Sequence, residues 1–481
     1  MLIFTVKCNL MQNLGFSELK YNRWSKLPWK RIKAVVFKLQ SNINNAAISK
    51  DTISLQIIQK KFVNNYCVKL FVVDLVCRDI SIRQKIRNLL IYSDQLKFYV
   101  ANNLKLDPQE SRTNNIWKKK CQFSRINSLT NHDYLILLLE DLSLQLLTKL
   151  SLEPEHGVIL KKYKCYVYQQ CLTNNFIVQQ VYYCLKKSHK YIAHLNMLDH
   201  FMTLDINTWI KKINNNPLFK TQIIRWLKKG LIEEYCYQIK SYDCYPFKTT
   251  KNSFIATFLI NLLFLEFESS IFCYLNATKQ HLTIFRDEYS LLLLSSSKST
   301  LFATCAHIQN FANSFNAKQY NKIDYYITYS QKSFDFLGYN FRSLETSGQK
   351  VVIKPSKQSI KLFNQKNREI IQQFKSGSIS ILIRKLKTNI IHWGLYYARF
   401  NRIKDFQKID NLILSQLRAV VLRRHPSKSK SWIKSKYFPH KKRYYFFGKY
   451  YISSWVFTDA HLSSREFLPK LEWLKINSNH N

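Results

Sequence analysis

The chain has 481 residues, with 74 Lys+Arg against 30 Asp+Glu, a formal charge of +44, and 46% apolar residues. So much apolar content excludes a disordered basic tail. The charge therefore belongs to a folded protein of about two to four domains whose natural partner is a polyanion, nucleic acid ahead of an anionic membrane surface. The 8 glycines form neither GxGxxG nor GxxxxGK[ST], which excludes Rossmann dehydrogenases, P-loop ATPases and kinases. The 11 cysteines, an odd number with no CxxC pair, exclude a disulfide scaffold and a zinc ribbon.

In chain order, MLIFTVKCNLMQNLGF carries neither a small-residue cleavage site nor an Arg/Ser-rich leader. No uninterrupted apolar run reaches the ~18 residues of a membrane span; the longest, Phe254 to Leu265, meets Glu266 and Glu268. A soluble protein made where it acts is expected. Between Tyr21 and Asp79, Ile32, Val35, Val36, Leu39, Ile43 and Ala46 recur at steps of three and four, predicting one apolar helix face. Asp51 is placed to cap a second helix carrying Leu55, Ile58 and Phe62.

From about 80 to 340 the pattern is mixed. Tyr134 to Leu152 predicts a buried helix, and Leu218 to Gly230 an amphipathic helix closed by glycine. Strands are predicted at Phe201 to Ile206 and at Leu282 to Leu294, the second as two apolar runs around Arg286-Asp287-Glu288. This predicts an α+β fold rather than a doubly wound sheet. His189, His194 and His200 near Cys184 lack metal-ligand spacing.

Residues 350 to 460 read as helical and strongly basic. Between Asp410 and Asp459 there is no acidic residue, while Arg418, Arg423, Arg424, Lys428, Lys430, Lys434, Lys436, Lys441, Lys442, Arg443 and Lys449 follow one another. Aromatic residues, among them Trp432, Tyr437, Tyr445, Phe447, Tyr450 and Trp455, are threaded through them. Charge of one sign interleaved with aromatic rings fits phosphate contact combined with base stacking.

FLGYNFRS (Phe336–Ser343), IKPSKQSI (Ile353–Ile360), IHWGLYYARF (Ile391–Phe400) and LRRHPSKSKSWIKSKYF (Leu422–Phe438) together resemble the maturase-specific, or thumb (X), domain of group II intron proteins. WSKLPWKRIKAVVFKLQSNINNAA (Trp24–Ala47) resembles the N-terminal domain of the same reverse transcriptase/maturases. The resemblance implies a right-hand-like architecture: a helical N-terminal domain (1–79), degenerate fingers and palm (80–345), a helical thumb (346–460) and a short tail (461–481) without the family's endonuclease. It implies RNA-binding roles for Arg418, Arg423, Arg424, His425, Lys428, Lys430, Trp432, Lys434, Lys436, Tyr437, Lys441, Lys442 and Arg443.

The family's polymerase site gathers three carboxylates, matched here by Asp205, Asp287 and Glu288. Only Asp205 and Asp287 would hold Mg2+ if that site worked, and departures from the family pattern imply that it does not. Arg286 stands where the hairpin tip has a small residue, and its bulk and charge are expected to oppose a metal. Glu288 is one methylene too long. Lys251-Asn252 replaces Gln-Gly, and Ala256-Thr257 replaces Ser-Pro. The implied protein is a maturase that binds group II intron RNA and assists its folding and splicing, without reverse transcription. It would hold no cofactor of its own, because the intron RNA positions the Mg2+. Neither a small-molecule substrate nor a membrane is expected, and a homodimer stays open. An active RNA-directed DNA polymerase and a non-specific RNA chaperone are the alternatives. Plastid synthesis is expected from the Asn-, Lys- and Ile-rich composition, with the mitochondrion as second choice.

Overall fold

The structure, a computed structural model, describes residues 23–78, 94–106, 131–162, 174–187, 191–211, 217–232, 234, 253–287, 289–315, 323–344, 350–400, 403–459 and 466–474. Glu288, Lys251 and Asn252 lie outside these residues, as does His189.

After a turn at Trp24–Lys26 come α1 (Trp29–Ile48), α2 (Thr52–Asn64) and α3 (Tyr66–Arg78). Burial of Ile32, Val36, Ile43 and Ala46 fulfils the periodicity of α1, with Val35 and Leu39 partly buried on the same side. The Asp51 side chain accepts the Ser54 N–H at 3.0 Å, capping α2 as expected. These helices and α4 (Asp94–Asn103) pack on α5 (Asn131–Lys162), which runs through Pro154.

Next come α6 (Asn174–Lys187), β1 (Tyr191–Asn196), α7 (Leu198–Thr203), α8 (Ile206–Lys211) and α9 (Pro217–Lys228). Gly230 beyond α9 takes φ 79°, the left-handed stop that its glycine permits. The strand predicted at Phe201 to Ile206 does not form. Phe201 and Met202 instead belong to α7, Leu204 follows it as the extended C-cap residue and Ile206 opens α8, while the strand lies earlier, at Tyr191–Asn196.

The helix α10 (Phe254–Thr278) is followed by the hairpin strands β2 (Thr283–Asp287) and β3 (Ser290–Ser295), then α11 (Lys298–Asn313) and β4 (Asp324–Tyr329). Among the described residues α10 alone is long and apolar enough to cross a membrane, yet 67% of its most apolar stretch is buried inside the protein. It is apolar all round because it is a core helix. The four strands form one antiparallel sheet in the order β2-β3-β1-β4. That order, with helices crossing between β1 and β2 and between β3 and β4, is the split β-α-β arrangement of α+β folds.

The sheet is a partition. Ala193, Leu195, Leu291 and Leu293 face a first apolar cluster shared with α1, α3, α5 and α10. Ile192, Phe285, Leu292 and Leu294 face a second cluster, shared with α6 and the C-terminal elements. These start with a three-stranded meander, β5 (Phe334–Phe336), β6 (Tyr339–Leu344) and β7 (Lys350–Pro355), and continue as α12 (Lys357–Gln373), α13 (Ile379–Tyr397), α14 (Ile403–Arg424) and α15 (Lys430–Tyr437). The helical reading of the last zone fails at both ends, at β7 (Lys350–Pro355) and where β8 (Lys442–Phe446) and β9 (Lys449–Ser453) pair as a hairpin. Alternating burial of Tyr444 and Phe446 between exposed Arg443 and Tyr445 is a period of two, which favours a strand over a helix.

Candidate nucleic-acid interface

Two regions bear on function, the hairpin end of the four-stranded sheet and the basic surface of the C-terminal helices. In the sheet, Asp287 pairs with Ser290, Ser290 with Asn196, and Asn196 with Asp324. Directly opposed residues share a face, so one row crosses all four strands on the side of the second cluster. Asp287 lies near His194 and Tyr396. Its charge partly opposes the burial that holds the His194 imidazole below its usual range, and it adds to the burial that pushes the Tyr396 phenol up.

Asp205 is not in that row. It sits beyond α7, where its backbone carbonyl accepts the N–H groups of Thr208 and Trp209 at the start of α8. The residue that β1 delivers beside the hairpin is Asn196, whose Oδ1 accepts the Leu198 N–H at 3.0 Å and opens α7. Two-metal phosphoryl transfer needs carboxylates that bridge both ions, and a neutral amide occupied with a helix start does not supply one. Among the described residues no three His, Cys, Asp or Glu side chains gather in a metal-holding group. Among the described residues, then, the hairpin end of the sheet brings Asn196 rather than a second carboxylate beside Asp287, and Glu288 lies outside them.

Arg286 also departs from expectation. It lies within β2 rather than at the hairpin tip, and its side chain passes to the first cluster, opposite in direction to Asp287. Its guanidinium sits 4.5 Å from the Phe264 ring centroid, 3.5 Å from the Glu268 carboxylate, and donates to Asn261 Oδ1. With 6% and 2% of their side chains exposed, Arg286 and Glu268 form a buried pair between sheet and α10. The charge is spent internally and does not face a metal.

On the C-terminal helices the predicted residues divide by what they touch. Arg418, Arg423, Lys428, Lys430, Lys434, Lys441, Lys442 and Arg443 are exposed, and Lys436 and Trp432 are half-buried. Among the described residues no salt bridge joins any of these cations to an acid. Aromatic faces gather them instead. Arg418 and Lys434 lie 4.0 and 4.5 Å from the centroid of Trp455, and Lys436 and Lys428 lie 4.6 and 5.6 Å from that of Trp432. A ring quadrupole attracts a cation without cancelling its charge, so each indole concentrates two positive heads toward solvent.

Three predicted residues serve the scaffold. Arg424 donates to the backbone oxygens of Phe374 and Lys375, at 2.8 and 2.6 Å, satisfying carbonyls at the end of α12. Tyr437 is buried, and its hydroxyl meets His425 Nε2 at 2.8 Å. Desolvation, then the charges of Lys436, Arg424 and Lys428, hold the His425 imidazole below its usual range. Sequence reasoning left out Trp455 as a gatherer of cations and Asn196 as the residue in register with the hairpin. Alternation along Tyr191–Asn196 was the available signal for the second.

The fold and this surface define an α+β protein whose C-terminal helical unit carries unneutralised positive charge suited to a polyanion. Residues 360–438, from within α12 to just past α15, match the family model of the group II intron maturase-specific domain. A search of the curated proteins finds no match. IHWGLYYARF and LRRHPSKSKSWIKSKYF both fall inside the matched segment, whereas the β8–β9 hairpin lies beyond it.

Proposed function

We propose that this chain is a group II intron maturase that binds intron RNA and assists its folding and splicing without polymerising DNA. The observation that carries the reading is the coincidence of the matched segment 360–438 with cations held on Trp432 and, just beyond it, Trp455 rather than on acids. Such a surface neutralises phosphates where RNA helices crowd, and stabilises the folded intron by binding it more tightly than the unfolded one. The Mg2+ ions of transesterification would belong to the RNA. We further propose that α1 to α3 and the sheet grip a second part of the intron.

Loss of polymerase chemistry is supported by Asn196 beside the hairpin and by the inward-turned Arg286. Primer extension on the purified chain tests it. No Mg2+-dependent synthesis is expected, and synthesis abolished by Asp287→Ala would overturn the reading. In a splicing assay, Asp287→Asn should leave stimulation intact, whereas joint Gln substitution of Arg418, Arg423, Lys430 and Lys434 should abolish most of it. Equal affinity for the host intron and for unrelated structured RNAs would favour a general chaperone. A plastid setting is proposed from composition, and crosslinking in the organelle followed by sequencing of bound RNA tests it.

A further inference from the structure

The β8–β9 hairpin sorts its aromatic residues strictly by face. Tyr444, Phe446 and Tyr451 turn inward onto Trp473, with ring centroids 5.8, 6.2 and 4.7 Å away. The other face points to solvent. Tyr445 and Tyr450 are 60% and 62% exposed, Ile452 74%, and Phe447 at the turn 62%. Tyr445 and Tyr450 are directly paired across the strands, their centroids 5.0 Å apart and their planes 52° apart. The Arg443 guanidinium lies 4.0 Å from the Tyr450 centroid. Exposed Lys441, Lys442 and Lys449 flank the patch, and no acidic residue occurs from 411 to 458.

The turn is unusual in its chemistry. Phe447 and Gly448 take φ 45° and 77°, the left-handed pair that tightens a two-residue hairpin. Asn or Gly takes the first of these positions easily, whereas a bulky L-residue there is strained. Phe447 therefore combines backbone strain with a ring left largely in water. Its ring meets the buried Phe446 ring, with centroids 4.5 Å apart, yet stays 62% exposed, and a ligand that covers the open face would give that exposure a use.

We propose that this outward face is a stacking platform for an unpaired stretch of RNA, with bases against Tyr445, Tyr450 and Phe447 and the backbone tracked by Arg443, Lys442 and Lys449. The charge is of the sign a nucleic acid requires. The rings are tilted with respect to one another, so each offers its own face to a separate base. Base faces are accessible only where the strand is unpaired, since in a duplex they are covered by their neighbours. The guanidinium over Tyr450 extends the stack, because its plane also accepts a base. The proposal rests on the RNA-binding reading above and deepens it, assigning single-stranded contacts to the hairpin and leaving helix phosphates to Arg418, Lys434 and their neighbours.

The full-length chain is tested by fluorescence anisotropy with two probes: a single-stranded RNA of about 12 nucleotides, the order of length that single-strand-binding grooves take, and a blunt RNA duplex of similar length. Tyr445→Ala with Tyr450→Ala should weaken single-strand binding about tenfold or more and change duplex binding less than about twofold. Tyr445→Trp with Tyr450→Trp should retain single-strand binding. Arg443→Gln with Lys449→Gln should instead flatten the salt dependence by about 0.7 in slope per cation. Each variant should stay folded, its melting temperature moving by no more than about 4 °C, since only an exposed cross-strand pair or surface charge is lost. Wild-type-like single-strand affinity in the Ala variant would overturn the platform while leaving the RNA-binding reading intact. So would equal loss on both probes, or displacement of the single strand by an acidic peptide of the same charge. Failure of the wild-type chain to bind either probe would overturn both.

Discussion

Arg286 and Glu268 lie beneath the sheet with almost no contact with water. Among the described residues neither Glu268 carboxylate oxygen has a hydrogen-bond partner, and the Coulomb attraction between the two heads offsets two large desolvation penalties. Such a pair tolerates joint replacement better than the loss of one member. Arg286→Ala should lower unfolding stability by about 3–5 kcal/mol by stranding Glu268, whereas Arg286→Met with Glu268→Leu should recover most of it. Urea midpoints at constant m-value measure both. The same residue scale separates what sequence could tell from what it could not. Asp287 at the end of a strand was readable from the apolar runs around it. Asp205 was not, because Met202 and Leu204 imitate a strand while the chain there turns through α7. Which residue reaches the hairpin depends on long-range register, and register put Asn196 there.

At the scale of elements, capping and periodicity were the most legible features. Asp51 capping α2 and Gly230 beyond α9 are local chemistry. The docking of the C-terminal turn Leu471–Leu474 is not local. Asp410 on α14 accepts the N–H groups of Leu471 and Glu472 at 2.9 and 3.2 Å, and Gly394 on α13 leaves room where a Cβ would meet both leucine side chains. Desolvation pushes the Asp410 carboxyl up to about 7, opposed by those two N–H groups and Lys470 and assisted by Glu472; Gln407 and Asn411 line the same cleft. A carboxyl whose folded pKa is raised binds more protons folded than unfolded. Its stabilising contribution is full below the ordinary carboxylate range, near 4, and is lost as pH rises through about 7. Hydrogen exchange at Leu471 and Glu472, corrected for intrinsic rate, should therefore show less protection at pH 8 than at pH 6. Asp410→Asn should remove that difference, and a difference that survives the substitution would assign it to another group.

For the whole molecule, the balance of +44 was legible from the first count, but its placement was not. The resemblance marked Arg424 and Tyr437 as RNA-binding candidates, while the tertiary arrangement ties both to the scaffold. It also placed Arg418 and Lys434 together on Trp455, from three different elements or turns. A molecule with so many unneutralised cations repels itself when free, and salt within a Debye length relieves that repulsion. In the proposed RNA complex the same cations would displace condensed counterions, and added salt would oppose that release. The two salt effects must then have opposite signs. Raising KCl from about 50 to 300 mM should raise the Tm of the free chain while lowering its affinity for intron RNA by several orders of magnitude. Replacing Arg418, Arg423, Lys430 and Lys434 by Gln should weaken both responses together, because both arise from the same charges. Were the Tm of the free chain to fall with salt, the cations would be neutralised within the fold, and the surface would have to be assigned a structural rather than an RNA-binding role.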